Sequence, residues 1–249
     1  MKVRLLSALS LMLCSTTSWA VDCAPIETPS LRATVCRVDA RREHLQLFLR
    51  DEAGAPFNSF TAIEHWLEPG GQHLLFAMNA GMYRPDYSPS GLFVSEGKQL
   101  APLETRNGHG NFFLKPNGVF LVSERGARVV ETSEYPLLHE RVLLATQSGP
   151  LLLRRGRMHP GFRADSASRL IRNGVGVTAA GDAVFVISDA PVNFHEFAAL
   201  FRDQLHCPDA LYLDGNVSSL HARALGRSDR KTDLGPIIGV TGPDRGAKE

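Results

Sequence analysis

Four strand ends or edges in this chain share one pattern, a polar residue standing beside a glycine. Asn79 is followed by Ala80-Gly81, Gln147 by Ser148-Gly149, Arg172 by Asn173-Gly174, and Asp214 by Gly215. The apolar runs next to them, such as LLFAM and ALYL, read as strands set deep in a sheet. The small and polar residues turn the chain where it leaves the core. If these ends converge, they place amides, a hydroxyl, a guanidinium and a carboxylate around one pocket. Such a pocket suits an anionic, hydroxyl-rich ligand, because an Arg fork grips phosphate or carboxylate and amides read hydroxyls. Four ordinary turns on one sheet would leave the same strings, so both readings stand at this point.

The remaining pattern predicts an α+β chain. Strands are expected over 31–38, 44–50, 73–78, 142–147, 150–153, 210–213 and 237–241, with hairpins through 91–130 and over 175–188. A helix is expected over 58–67, capped by Asn58 or Ser59, with Phe60, Ile63, Trp66 and Leu67 on one face. A second is expected over 193–206, where Asn193 caps and Glu196 completes a capping box. No internal repeat or low-complexity linker is present. The fold class is therefore a single α+β domain: a mixed, largely antiparallel sheet system with a few packed helices.

Residues 1–20 have the features of a signal peptide. Lys2 and Arg4 precede an apolar run over 5–13, and Ser18-Trp19-Ala20 offers small residues at a cleavage point. The run is shorter than the ~20 residues of a spanning helix. No other run is long enough, so no membrane span is expected in the domain over 21–249, which is expected in the periplasm or outside the cell. In an oxidising compartment a Cys23–Cys36 bridge is plausible across a short loop, with Cys207 left as a buried thiol. The balance of 27 basic and 26 acidic residues points to no nucleic-acid partner.

Several chemistries lack their residues. The string TQSGP is missing the first glycine of a nucleophile elbow, and His195-Glu196 has no second histidine for a zinc-protease helix. There is no phosphate loop or dinucleotide fingerprint, and the nine histidines are scattered. No cofactor or metal is assigned, and nothing specifies an oligomeric state.

Six strings in order carry a resemblance: MNAGMY (78–83), GNFFLKPNGVF (110–120), ATQSGPLLL (145–153), RNGVGV (172–177), VNFHEFAALFRD (192–203) and DALYLDGNVSS (209–219). As a set they resemble the phosphodiester glycosidase family, in its short exported bacterial branch. The resemblance implies hydrolysis of a sugar-1-phosphodiester at the bond between anomeric carbon and oxygen. Asn79 and Gly81 match the family's Asn-Gly-Gly string, and Arg172 and Gly176 match its Arg and Gly before the hairpin. Asp214, Gly215 and Ser218 match its Leu-Asp-Gly-Gly-Gly-Ser string, but Asn216 and Val217 replace two glycines, so side chains are expected to intrude on the pocket.

On this reading Asp214 and Arg172 are the catalytic pair, facing each other. Arg172 holds the phosphate in a bidentate grip, helped by the Ser148-Gly149 turn, and Asp214 stays ionised beside it as nucleophile or base. Asn79 holds a sugar hydroxyl or N-acetyl group, with Asn173, Gly176, Gly215 and Ser218 lining the site. His109, on a Gly-rich loop, is either a proton carrier or incidental. Two other classes compete: a non-catalytic envelope carbohydrate-binding protein of the same fold, and a different envelope phosphodiester hydrolase.

Overall fold

Residues 21–230 and 232–243 are described by a computed structural model; the segment 1–20, expected to be a signal peptide, lies outside the described residues. The apolar runs form three sheets among the described residues, and all their pairings are antiparallel. A seven-stranded sheet runs in the order Asp22–Glu27, Arg32–Val38, Ala183–Ser188, Asn173–Val177, Asp209–Tyr212, Leu151–Arg154, Arg157–Met158. A five-stranded sheet runs Arg227–Ser228, Leu220–Ala222, Gln72–Asn79, Ile237–Pro243, Leu45–Phe48. The third runs Lys98–Ala101, Phe93–Ser95, Val142–Ser148, Gly118–Ser123, Gly126–Glu131.

One core cluster joins all three sheets. Val38, Phe185 and Leu211 come from the first, Phe76, Met78 and Leu220 from the second, and Phe93, Phe120 and Leu144 from the third. Burial on this scale is the main stabilising term of the fold. The chain is a single α+β domain, as expected.

The helices fit their sequence signals. Ser59, not Asn58, caps the Phe60–Leu67 helix by accepting from Ala62 N at 3.1 Å. Phe60, Ile63 and Leu67 bury against Phe48, Leu74 and Ile237 of the second sheet. Trp66 departs from the expected face. It is 40% exposed, packs edge-on to Phe48 and Phe57, and donates its indole N–H to Glu52. An amphipathic ring takes this rim position because its polar end keeps a partner there. The Phe194–Ala199 helix carries the full capping box and continues as a π turn over Leu200–Gln204. It lays Phe197 and Phe201 on the seven-stranded sheet.

The Asp22–Glu27 strand is a finding, not an expectation. It pairs with Arg32–Val38 so that Cys23 and Cys36 stand directly opposite and form a disulfide. Cys207 is a free buried thiol, pushed up to about 12 by that burial, which makes it a poor nucleophile.

Candidate active site

The middle strand of each sheet contributes one end to a common junction. Gln72–Asn79 ends at Asn79, Val142–Ser148 ends at Ser148, and Asn173–Val177 begins at Asn173. Backbone bonds tie these ends and the 212–214 segment together. Leu213 N donates to Asn173 O at 3.1 Å, Tyr212 N to Pro150 O at 3.1 Å, and Asp214 N to Ala80 O at 3.4 Å. Gly81 N donates to Thr146 Oγ1 at 3.1 Å. The strand ends read from sequence therefore do meet.

At the centre is a closed amide joint. Asn79 Nδ2 donates to Asp214 O at 2.8 Å and reaches Asn173 Oδ1 at 3.5 Å. Asn79 Oδ1 accepts from Asn173 Nδ2 at 3.0 Å and from Ser219 N at 2.9 Å. Asn173 Nδ2 also donates to Asn79 O, and Ser218 Oγ donates within reach of Asn173 Oδ1, both near 3 Å. A primary amide offers two donors and two lone pairs, so Asn79 has no hydrogen bond left for a ligand. With Asn79 1% exposed and Asn173 fully buried, this corrects the sugar-holding role expected of Asn79 and the pocket-lining role of Asn173. Ser218, 3% exposed, belongs to the same joint.

Arg172 is sealed beside it at 1% exposure. Nε donates to Val192 O at 2.8 Å and Nη2 to Ser168 O at 3.0 Å. The guanidinium lies 3.7 Å from the Phe194 ring centroid, a cation–π contact, and 5.5 Å from that of Tyr212. Burial depresses its pKa, with Tyr212 acting in the other direction. The expected bidentate grip on a phosphate is thus corrected: the fork is already held by two carbonyls. Only Nη1 is buried without a hydrogen-bond partner. Ser148 Oγ, in a fully buried residue, is a second such orphan.

Asp214 is the open member of the group. It is partly buried, caps the short turn Gly215–Val217, and accepts from Asn216 N at 3.3 Å. No cation pairs with it among the described residues, contrary to the expected Arg172 partnership. Burial accordingly raises its pKa, opposed only by the Asn216 bond. Tyr212 connects the two groups electrostatically. Burial and Asp214 push its phenol up while Arg172 pulls it down. Tyr83 is raised to about 12, first by burial and then by the Asp214 charge.

The remaining glycines answer close packing by neighbouring backbone and side chains. A Cβ on Gly215 would sit 1.8 Å from Tyr212 Oη, and one on Gly81 would sit 2.3 Å from Gln147 O. On Gly149 it would meet Asn117 Cβ at 2.7 Å and Phe112 O at 2.8 Å. Gly176 is a packing position, not a lining one. Its missing side chain leaves room for Phe201 and Cys207, at 2.7 and 2.8 Å. His109 is exposed on the loop leading to Phe112, away from the joint. Asn216 points to solvent and Val217 packs toward the Phe60–Ile63 cluster. The two replaced glycines therefore do not fill the site in the way the sequence suggested.

A separate cleft of about 620 Å³ is lined by Pro116, Leu151, Met158, His159, Pro160 and three arginines, and holds none of these residues. Arg154 and Arg155 there are paired with Glu131 and Glu134, so its charge is largely answered. The strand-end junction differs from this cleft in holding a partly buried carboxylate, Asp214, that pairs with no cation among the described residues.

A family model for phosphodiester glycosidases matches residues 72–239, which span the junction from Asn79 to Asp214. The chain belongs to the phosphodiester glycosidase family. It is 33% identical over 204 residues to the uncharacterized Escherichia coli protein YigE, covering 82% of this chain and 79% of that one. Its fold is similar to the catalytic domain of zebrafish N-acetylglucosamine-1-phosphodiester alpha-N-acetylglucosaminidase, auto-inhibited by its pro-peptide, with TM-score 0.64 and 15% identity over 90% of this chain and 84% of that one. A Synechocystis protein has TM-score 0.52 and 15% identity, covering 88% of this chain and 61% of that one.

Sequence reasoning missed Tyr212, Tyr83 and Phe194. Tyr212 carried a usable signal: it stands two residues before Asp214, the spacing that places side chains on one face of a strand. Phe194 was read as one apolar residue of a helix face, and nothing local marks it as the plate under a guanidinium.

Proposed function

We propose that the chain is an exported hydrolase that cleaves the glycosidic bond of a sugar-1-phosphodiester, releasing free sugar and a phosphomonoester. The observation that carries this reading is Asp214, a partly buried carboxylate without a cation partner among the described residues, at the meeting of three sheet ends in a chain of this family. A phosphoryl leaving group departs already anionic, so the reaction needs a group acting on the anomeric carbon more than a proton donor. Asp214 supplies that group. It either attacks the carbon or takes the proton of the attacking water, and its burial makes it a stronger base than an exposed carboxylate. Arg172 acts at range: a desolvated cation projects a positive potential onto the developing phosphate charge. Tyr212, whose phenol feels the charges of both Arg172 and Asp214, couples the two. The Cys23–Cys36 bridge and the basic-then-apolar segment 1–20 support an oxidising, extracytoplasmic location.

The test is a panel of anomeric phosphodiesters, beginning with N-acetylglucosamine-1-phosphodiesters, the class in the zebrafish relative's name. Free sugar plus phosphomonoester is the expected outcome. The anomer first released separates the two roles of Asp214, retention for attack and inversion for the base. Cleavage on the other side of phosphorus overturns the reading, as does binding of the diester without turnover.

A further inference from the structure

We propose that Tyr83 and Tyr87 form an aromatic wall beside Asp214 on which the substrate's pyranose ring stacks. The proposal rests on Asp214 marking the reactive site and adds how that site would hold its sugar.

The wall is tied to the carboxylate by the backbone. The 79–83 segment is laced to Asp214 at two points, Asn79 Nδ2 to Asp214 O and Asp214 N to Ala80 O. Tyr83 follows three residues after Ala80, in a half-buried position that senses the Asp214 charge. The ring of Tyr87 lies nearly parallel to that of Tyr83, with centroids 5.9 Å apart and planes at 18°.

The pair is held from several sides. Tyr83 Oη donates to Asp233 O at 2.8 Å, and Tyr87 Oη to Asp233 Oδ2 at 3.1 Å. Gly235 lies so close to Tyr83 that a Cβ would be 2.3 Å from its Cγ. Tyr87 closes a tight turn, with Arg84 N donating to Ser88 O and Tyr87 N to Arg84 O. It does so at φ +63°, the left-handed region that favours glycine. A bulky residue there is held in a costly conformation, a condition that concentrates at ligand sites.

Two rigid rings with anchored hydroxyls lose little freedom when a ligand arrives, which is the advantage of preorganisation. Both residues stay partly exposed, and the part of an aromatic ring left uncovered is apolar with a polar tip at the hydroxyl. A pyranose presents the matching shape, a face of C–H groups with hydroxyls at its rim. The saturated Asn79 amide sharpens the point: it has no hydrogen bond for the sugar, so another element of this loop must recognise it.

The test uses the full mature chain and a non-hydrolysable ligand, the C-glycosidic phosphonate analogue of α-N-acetylglucosamine 1-phosphate, in which a methylene group replaces the bridging oxygen, with ribose 5-phosphate as the non-pyranose control. Binding is read by titration calorimetry and saturation-transfer NMR, alongside thermal unfolding. Tyr87→Gly is expected to raise Kd for the pyranose phosphonate about tenfold. Its Tm should change by only a few degrees, because relief of the strain at φ +63° offsets the lost Asp233 hydrogen bond and ring contact. Tyr87→Phe, which keeps the ring, should stay within about twofold of wild type. Equal Kd in Tyr87→Gly and wild type overturns the wall and leaves the hydrolase reading intact. Failure of wild type to bind the pyranose phosphonate, or equal binding of the ribose control, also overturns it. If the ring-dependent binding is seen and no diester is cleaved, the wall stands and the hydrolase reading falls.

Discussion

The amide joint and the Asp214 corner lie side by side and are built from the same kind of strand end. Asn79 and Asn173 have their hydrogen-bonding capacity filled by each other and by Asp214 O, Ser219 N and Ser218 Oγ. Asp214 has one side-chain hydrogen bond, from the backbone of its own turn, and Arg172 beyond it keeps Nη1 unpartnered. The first arrangement locks two sheets together. The second leaves charge and donor capacity for something else. Buried polar groups that satisfy one another are architecture, whereas a partly buried charge without a partner carries a cost that calls for an explanation.

That contrast can be attacked from both sides. The largest effect is expected from Asp214→Asn, with turnover of a cleaved diester falling by at least about 10³-fold. Stability should hold or rise at neutral pH. Burial raises the pKa of Asp214 in the fold, so the protonated form is favoured there. Its contribution to stability is present below the unfolded pKa and is lost as pH rises through the folded one. Removing the charge removes that loss, and the pH dependence of the melting temperature of the two proteins should differ with this sign. Turnover in wild type should fall on acidification through a pKa above the ordinary carboxylate range.

Asn79→Ala should do the reverse. It strips partners from Asn173, Ser219 N and Asp214 O together, at a cost of about 3 kcal/mol in chemical denaturation. Combined with Asn173→Ala, the losses should be strongly non-additive, because the two amides act as one joint. Additive losses would mean the joint is not a unit. Gly176→Ala comes next, at about 2 kcal/mol from overpacking against Phe201 and Cys207, with KM unchanged. A changed KM would restore Gly176 to the binding site. His109→Ala should be silent in both turnover and stability. A shifted pH–rate profile in that variant would instead make the loop histidine a proton carrier.

Much of this molecule could be read from local pattern. Apolar runs bounded by turn residues marked the strands, and Asn193 with Glu196 announced a capping box that the structure contains in full. Cys23 and Cys36 were paired correctly, although the strand that brings them opposite was not anticipated. Trp66 was placed on the wrong side of a boundary, since helical period gives a direction but not the edge of the neighbouring sheet.

The chain's own residues dictated that polar groups would stand where core strands end, because a buried run followed by Asn, Ser or Asp with glycine has few other ways to leave a sheet. They did not dictate which of those groups would be used up internally. Asn79 meets Asn173 across 94 positions and Ser219 across 140, and hydrogen-bond saturation at such range is a property of how three sheets are assembled. The distinction between a joint and a site came into being only when the folded chain counted out its donors and acceptors and left Asp214 over.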